Sequence, residues 1–240
     1  MRKDEFFVDD YVHVYNRGNR KQVIVRDDRD RWHFLQMLYY FNNKTSVESP
    51  FQDLHQKLKS DFYSCLVWPA EWRPQEPLVR ILAFTLMDNH FHLLLKEITE
   101  GGITSFMRKL GTGMTNYFNV KYEESGRLFQ GAYKAKRVDD EGYLMNLSAY
   151  IHVKNTFELY PKGFAFAAKN FSDAYEWAAH YPYTSLANYA HEKDSAILHK
   201  DILGELVESP RVYRDFCKEC LEVVLEEEDS INHLAFEENE

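Results

Sequence analysis

The chain has 240 residues, 45% of them hydrophobic and 28% charged, which supports a packed core and suits one domain with elaborations. Its net charge of −9 argues against a general coater of DNA, although a local basic groove stays open. No run of 18 apolar residues occurs and the first residues lack a signal peptide's apolar stretch, so no membrane span and no secretion are expected. Three cysteines, Cys65, Cys217 and Cys220, favour a reducing cytoplasm. Cys217 and Cys220 form a C-x-x-C inside a helical pattern with no second pair, which reads as structural.

Tyr11 to Tyr15 alternate as a strand and run into a basic turn from Asn16 to Lys21. Asn16 and Arg17 there are candidate phosphate contacts. Asp27 or Asp28 can cap a helix reaching about Phe41, with Phe34, Leu35, Leu38 and Phe41 buried. Residues 43–78 read as an insertion: Phe51, Leu54, Leu58 and Phe62 repeat at helical spacing before Pro69, Pro74 and Pro77 break the chain. A second strand spans about 78–87, and Asp88-Asn89 turn it into a third. From Ile103 the period becomes helical through Phe106, Leu110, Met114, Tyr117 and Phe118, with Gly111 and Gly113 permitting a close neighbour. Another strand lies within Leu128–Val138, and Asp139 or Asp140 caps a helix to about Lys154. Beyond residue 156 the pattern is irregular until a helix from about Val212 to Val224. An acidic tail follows, suited to a solubilising or an autoinhibitory role.

The third strand carries the chemistry. In Asp88-Asn89-His90-Phe91-His92-Leu93-Leu94-Leu95-Lys96, alternation puts His90 and His92 on one face and Phe91, Leu93 and Leu95 on the other. Two imidazoles so spaced can hold one divalent metal, but two ligands do not close a site. Between Thr104 and Arg137, seven bases (Arg108, Lys109, Lys121, Arg127, Lys134, Lys136, Arg137) face two acids, Glu123 and Glu124. The excess of about +5 opposes the sign of the whole chain and marks a candidate phosphate-binding groove. On the helix after Asp140, Tyr143, Asn146, Tyr150 and Lys154 share one stripe beside the apolar stripe of Leu144, Leu147 and Ile151.

The blocks Asn89-His90-Phe91-His92-Leu93-Leu94, Leu128-Phe129-Gln130-Gly131, Tyr143-Leu144 and Ala149-Tyr150-Ile151-His152 resemble the single-tyrosine HUH transposases, closest to the REP-associated (IS200-like) group. The resemblance covers roughly residues 8–158, leaving 159–240 as an extension. It implies an α+β, ferredoxin-like antiparallel sheet with helices packed on one face, followed by a mostly helical extension. It implies further that His90 and His92 ligate Mg²⁺ or Mn²⁺, that Tyr150 is the nucleophile, and that Gln130 lies in the DNA-binding region. The expected partner is single-stranded DNA carrying a hairpin, bound by a monomer or a homodimer. The family usually places an amide or carboxylate one helical turn after the tyrosine as a third ligand. Here that position is Lys154, whose ammonium contacts phosphate at best. Either Asn155, about 100° further round, reaches the metal through a local distortion of the helix, or Lys154 takes over part of the metal's role at the phosphate, or activity is impaired. A hairpin-binding protein without cleavage and a phosphoesterase that uses water are the alternatives.

Overall fold

The computed structural model describes residues 5–45, 51 and 66–237, with side chains through residue 225. The expected helical repeat of Leu54, Leu58 and Phe62, together with Cys65, lies outside the described residues, as do the tail side chains from Glu226 onward.

Four strands form one antiparallel sheet in the order β2-β3-β1-β4: β1 Tyr11–Arg17, β2 Val79–Leu86, β3 His90–Glu97 and β4 Lys134–Val138. Asp88-Asn89 link β2 and β3, as their turn propensity predicts. Alternation divides the sheet. Val12, Val14, Phe91, Leu93 and Leu95 point to one face, where α1 (Asp28–Tyr40) and α2 (Gly102–Tyr122) cover them. Burying each such side chain contributes about 1.5–3 kcal/mol. Asp27 caps α1, accepting from the Asp30 N–H at 2.9 Å in a reciprocal capping box. Gly113 lets the two helices close up, because a Cβ there would lie 2.4 Å from the Phe41 ring; at Gly111 there is open space.

A buried carboxylate also ties α1 to α2. Asp30 accepts from Lys121 at 2.5 Å, Tyr122 at 2.7 Å, Tyr117 at 2.9 Å and the Arg26 N–H at 2.7 Å. Burial pushes its pKa up, but Lys121 and these other donors outweigh burial and hold it below the usual carboxylate range.

The other face carries Tyr15, His92, Leu94, Lys134 and Lys136. Its inner half is covered by α3 (Glu141–Ala149) and by the C-terminal helices, whose apolar residues join those of α3 in one core. These are α4 Phe164–Lys169, α5 Phe171–His180, α6 Leu186–Ala190, α7 Asp201–Leu206 and α8 Pro210–Glu237. The sequence beyond 156 reads as irregular because α4 to α7 are only 5–10 residues long, too few turns to display a period. The last helix starts near the expected position but runs on into the acidic tail. Among the described residues no helix is long and apolar enough to cross a membrane.

The extension also protects the sheet. Backbone from Tyr183 to Ser185 pairs with the outer edge of β2 (Leu86 N–H to Tyr183 O, 2.9 Å; Ser185 N–H to Phe84 O, 3.0 Å), and the His199 N–H reaches Ile81 O at 2.8 Å. At the opposite edge, β4 exposes Lys134, Lys136 and Arg137.

Candidate active site

The helix after β4 begins as expected. Asp140 caps it by accepting the Tyr143 N–H at 2.7 Å, and Leu144, Leu147 and Ile151 are buried. At Tyr150 it changes character. Residues Tyr150–Lys154 form a single π-helical turn, closed by the Asn155 N–H on the Tyr150 carbonyl, and a short α-helical segment resumes at Asn155–Phe157. A π turn holds one residue more than an α turn, so it carries Asn155 round toward the face that bears Tyr150. This is the local distortion that an Asn155 ligand requires.

The result is a pocket of about 520 Å³ at the open end of the sheet. His90, His92, Tyr150, Lys154, Asn155 and Glu158 line one side of it; Tyr15, Asn16, Arg17, Gln130 and Lys134 line the other. Lys136 opens instead onto an adjoining apolar groove of about 820 Å³, walled by α3 and α8 and continuous with the pocket through His92, Tyr15, Tyr150 and Lys154.

The two histidines are oriented by partners behind them. His90 Nδ1 lies 2.6 Å from Asn89 Oδ1, so it must carry the proton and donate, leaving Nε2 unprotonated. His92 Nδ1 lies 2.9 Å from His13 Nε2, which likewise leaves Nε2 of His92 for a ligand when Nδ1 donates. All three imidazoles are held neutral. Burial, then Arg17, lowers His90; burial, then His13, pushes His92 down to about 2; burial, then Lys136, pushes His13 down to about 4. Neutral imidazoles are the form that binds metal. His13 was not apparent in the sequence, because its contact depends on the β1–β3 register, which brings strands 79 residues apart side by side. Its own alternation in β1 was the one available clue.

Asn155 is 1% exposed, and its amide nitrogen has no hydrogen-bond partner. An unsatisfied buried amide is costly unless something completes it, and rotation about its last bond presents either nitrogen or oxygen to the pocket. Two imidazoles and this amide line the same pocket, and two nitrogens with an amide oxygen are a donor set of the kind a divalent ion accepts. Glu158 was also missed. Its carboxylate accepts from Lys154 at 2.5 Å, so the ammonium that would repel a metal is paired. The signal for it, a Lys-x-x-x-Glu pair, is common on any helix.

Tyr150 is half-buried, its ring edge-on to His92 at 5.6 Å and beneath the Lys154 ammonium at 5.5 Å. Its hydroxyl has no hydrogen-bond partner among the described residues. Tyr117 differs: it lies on the far side of the sheet, stacks on His33 at 3.8 Å and donates to Asp30. Burial and then Asp30 push its pKa far above that of a free phenol.

Other candidates lie outside the pocket. Arg108 and Lys109 are on α2, behind the sheet, and Lys109 donates to the Asn43 carbonyl at 2.5 Å. Arg137 faces away from Lys134 and Lys136 and pairs with Asp139 at 2.7 Å. His152 is fully buried, between Tyr213 and Ser185.

The fold and pocket define an α+β protein that holds a histidine pair and a tyrosine at one end of an antiparallel sheet. Residues 75–154, from the approach to β2 through the π turn, match the family described as Transposase IS200 like. The matched segment contains the histidine pair and Tyr150. A solved structure described as a REP-associated tyrosine transposase bound to a REP hairpin is similar at 12% identity. It covers 84% of this chain and 92% of that one, with a TM-score of 0.44. No curated protein matches the chain.

Proposed function

We propose that the chain is a metal-dependent transposase of the single-tyrosine HUH type, which cuts and rejoins single-stranded DNA beside hairpins. One observation carries this reading: the π turn sets Tyr150 and Asn155 in the pocket that His90 and His92 already line. The match of residues 75–154 to the IS200-like family supports it.

His90, His92 and Asn155 would hold Mg²⁺ or Mn²⁺. Bound there, the ion would supply positive charge against the scissile phosphate. The Tyr150 oxygen attacks phosphorus: a Tyr–O–P bond forms, the bond from phosphorus to the 3′-oxygen breaks, and the phenolic proton ends on the released 3′-hydroxyl. The energy of the broken ester is kept in the 5′-phosphotyrosine, so a second 3′-hydroxyl can reverse the step without ATP. Arg17, Lys134 and Lys154 give the pocket rim the charge to position a phosphate backbone, and Gln130, Asn16 and Tyr15 offer amides and a ring to bases. Lys136 extends that surface into the adjoining groove. Binding by a monomer or a homodimer is compatible with this surface.

Incubating the protein with labelled single-stranded hairpin DNA and Mn²⁺, then denaturing it, tests the proposal. The native chain should yield a covalent protein–DNA adduct. Tyr150→Phe should bind DNA but form none, and Tyr117→Phe should keep it. Cleavage without an adduct would point to a water nucleophile, and binding without cleavage to a hairpin-recognition protein; either result rejects the proposal.

A further inference from the structure

We propose a second metal site, separate from the pocket, in which Glu176, His180 and His191 bind a transition-metal dication of the zinc type. One ligand-capable atom from each residue lies within 4.8 Å of the other two. None of the three lines the pocket of His90 and His92. Glu176 and His180 stand one turn apart at the C-terminal end of α5, so their side chains rise from the same face. His191 follows α6 directly and comes in from a second element.

Local bonding selects the ligating atoms. His180 Nδ1 lies 2.7 Å from the Glu176 main-chain carbonyl, an acceptor only, so Nδ1 carries the proton and donates. Nε2 of His180 is left as a lone pair on an oriented ring, the arrangement in which a carbonyl behind a histidine fixes its tautomer for a metal. His191 Nε2 is 3.6 Å from Glu176 Oε2. Tetrahedral zinc with bonds of about 2.0–2.1 Å separates its ligand atoms by about 3.4 Å, so small side-chain rotations close the site. The two imidazole rings have centroids 5.4 Å apart at 58°, so they are tilted to each other rather than stacked. Two nitrogens and one carboxylate favour Zn²⁺ over Mg²⁺, because imidazole is a poor ligand for the harder ion. With three protein ligands the fourth position is open to water. A bound ion would cross-link the end of α5 to the end of α6 and stiffen the extension behind the sheet.

The test uses the full chain carrying His90→Ala and His92→Ala, which removes the pocket histidines and leaves this cluster intact. Titration with Zn²⁺ should show one site of about micromolar affinity, unaffected by millimolar Mg²⁺, and Co²⁺ should give the visible absorption of a four-coordinate ion. Zn²⁺ should also raise the melting temperature. Adding His180→Ala and His191→Ala should abolish all three signals, and these exposed positions tolerate the change. Glu176→Gln should weaken binding at least tenfold while keeping the helix. Zn²⁺ binding that survives in the four-site variant, through Cys217 and Cys220 for example, overturns the proposal, as does absence of binding in the two-site variant.

Discussion

His13 does not line the pocket of His90 and His92, yet when it accepts from His92 Nδ1 it leaves Nε2 of His92 free for a ligand. Second partners of this kind are typically worth 10- to 100-fold in metal affinity. His13→Ala should therefore weaken Mn²⁺ binding by about that factor and lower adduct formation at limiting metal, with saturating Mn²⁺ restoring it. A loss that no metal concentration repairs would assign His13 to the fold instead. Lys154 acts in the opposite direction. Its ammonium is paired with Glu158 but still adds positive charge beside the site. Lys154→Gln removes that charge and releases the carboxylate. We expect Mn²⁺ to bind about five- to tenfold more tightly, as about 1 kcal/mol of screened repulsion implies. Calorimetry showing weaker binding would mean that Lys154 supports the ligands. That His90 and His92 share a pocket with Tyr150 was legible in the sequence, because strand alternation and the ordered blocks need no tertiary knowledge. His13 and Glu158 were not, because one depends on strand pairing and the other hides in a pattern that most surface helices show.

At the level of the element, the π turn decides whether Asn155 lines the pocket that the proposed metal would occupy. Read as an ideal helix, the sequence places Lys154 one turn after Tyr150 and turns Asn155 away. One extra residue taken up in a wide turn brings Asn155 into the pocket lining beside Lys154, and no hydrophobic period announces such a turn. Lys154 is then the inserted residue. Deleting it should leave Tyr150-Ile151-His152-Val153-Asn155 as an ordinary α turn, with Asn155 still facing the pocket and Phe157 still in the core. We expect the deletion variant to fold, bind Mn²⁺ and form the adduct, with hydrogen exchange at residues 150–157 slowed. If Asn155 owes its position to something other than the π turn, the deletion will abolish metal binding. The helix boundaries of α1 and the start of α3 were legible because each has an aspartate cap. The short helices α4 to α7 were not, since tertiary packing rather than their own periodicity holds them.

Taken whole, the molecule is a sheet closed on both faces, and buried neutral histidines hold parts of each closure. On the extension side, bonding runs as a chain: Phe84 N–H to Ser185 Oγ, Ser185 to His152 Nε2, His152 Nδ1 to Tyr213, Tyr213 to Ser148, and Ser148 to the Met145 carbonyl. A neutral His152 serves it as acceptor at one nitrogen and donor at the other, and burial disfavours a second proton on the ring. Burial pushes His152 down to about 3, and burial pushes His33, between α1 and α2, down to about 4. Folded pKa values below the free value make this stability complete above about pH 6.5. It declines as pH falls from there toward the folded values, by about 1.4 kcal/mol per histidine per pH unit. Chemical denaturation between pH 7.5 and 5 should show this slope, and His152→Gln should reduce it by about one proton's worth. An unchanged slope would place the acid sensitivity elsewhere.

The two protected sheet borders bear on how copies of the chain can meet. A bare border strand is a template for another copy's strand, and pairing of that sort leads to open-ended stacking. Here one border is already occupied by the chain's own backbone from Tyr183 to Ser185, and the other presents a row of lysines and an arginine that repels its like. Among the described residues, self-association by extending the sheet is therefore disfavoured at both borders. High salt, which screens the basic border, is the condition under which unwanted strand-to-strand growth should first appear.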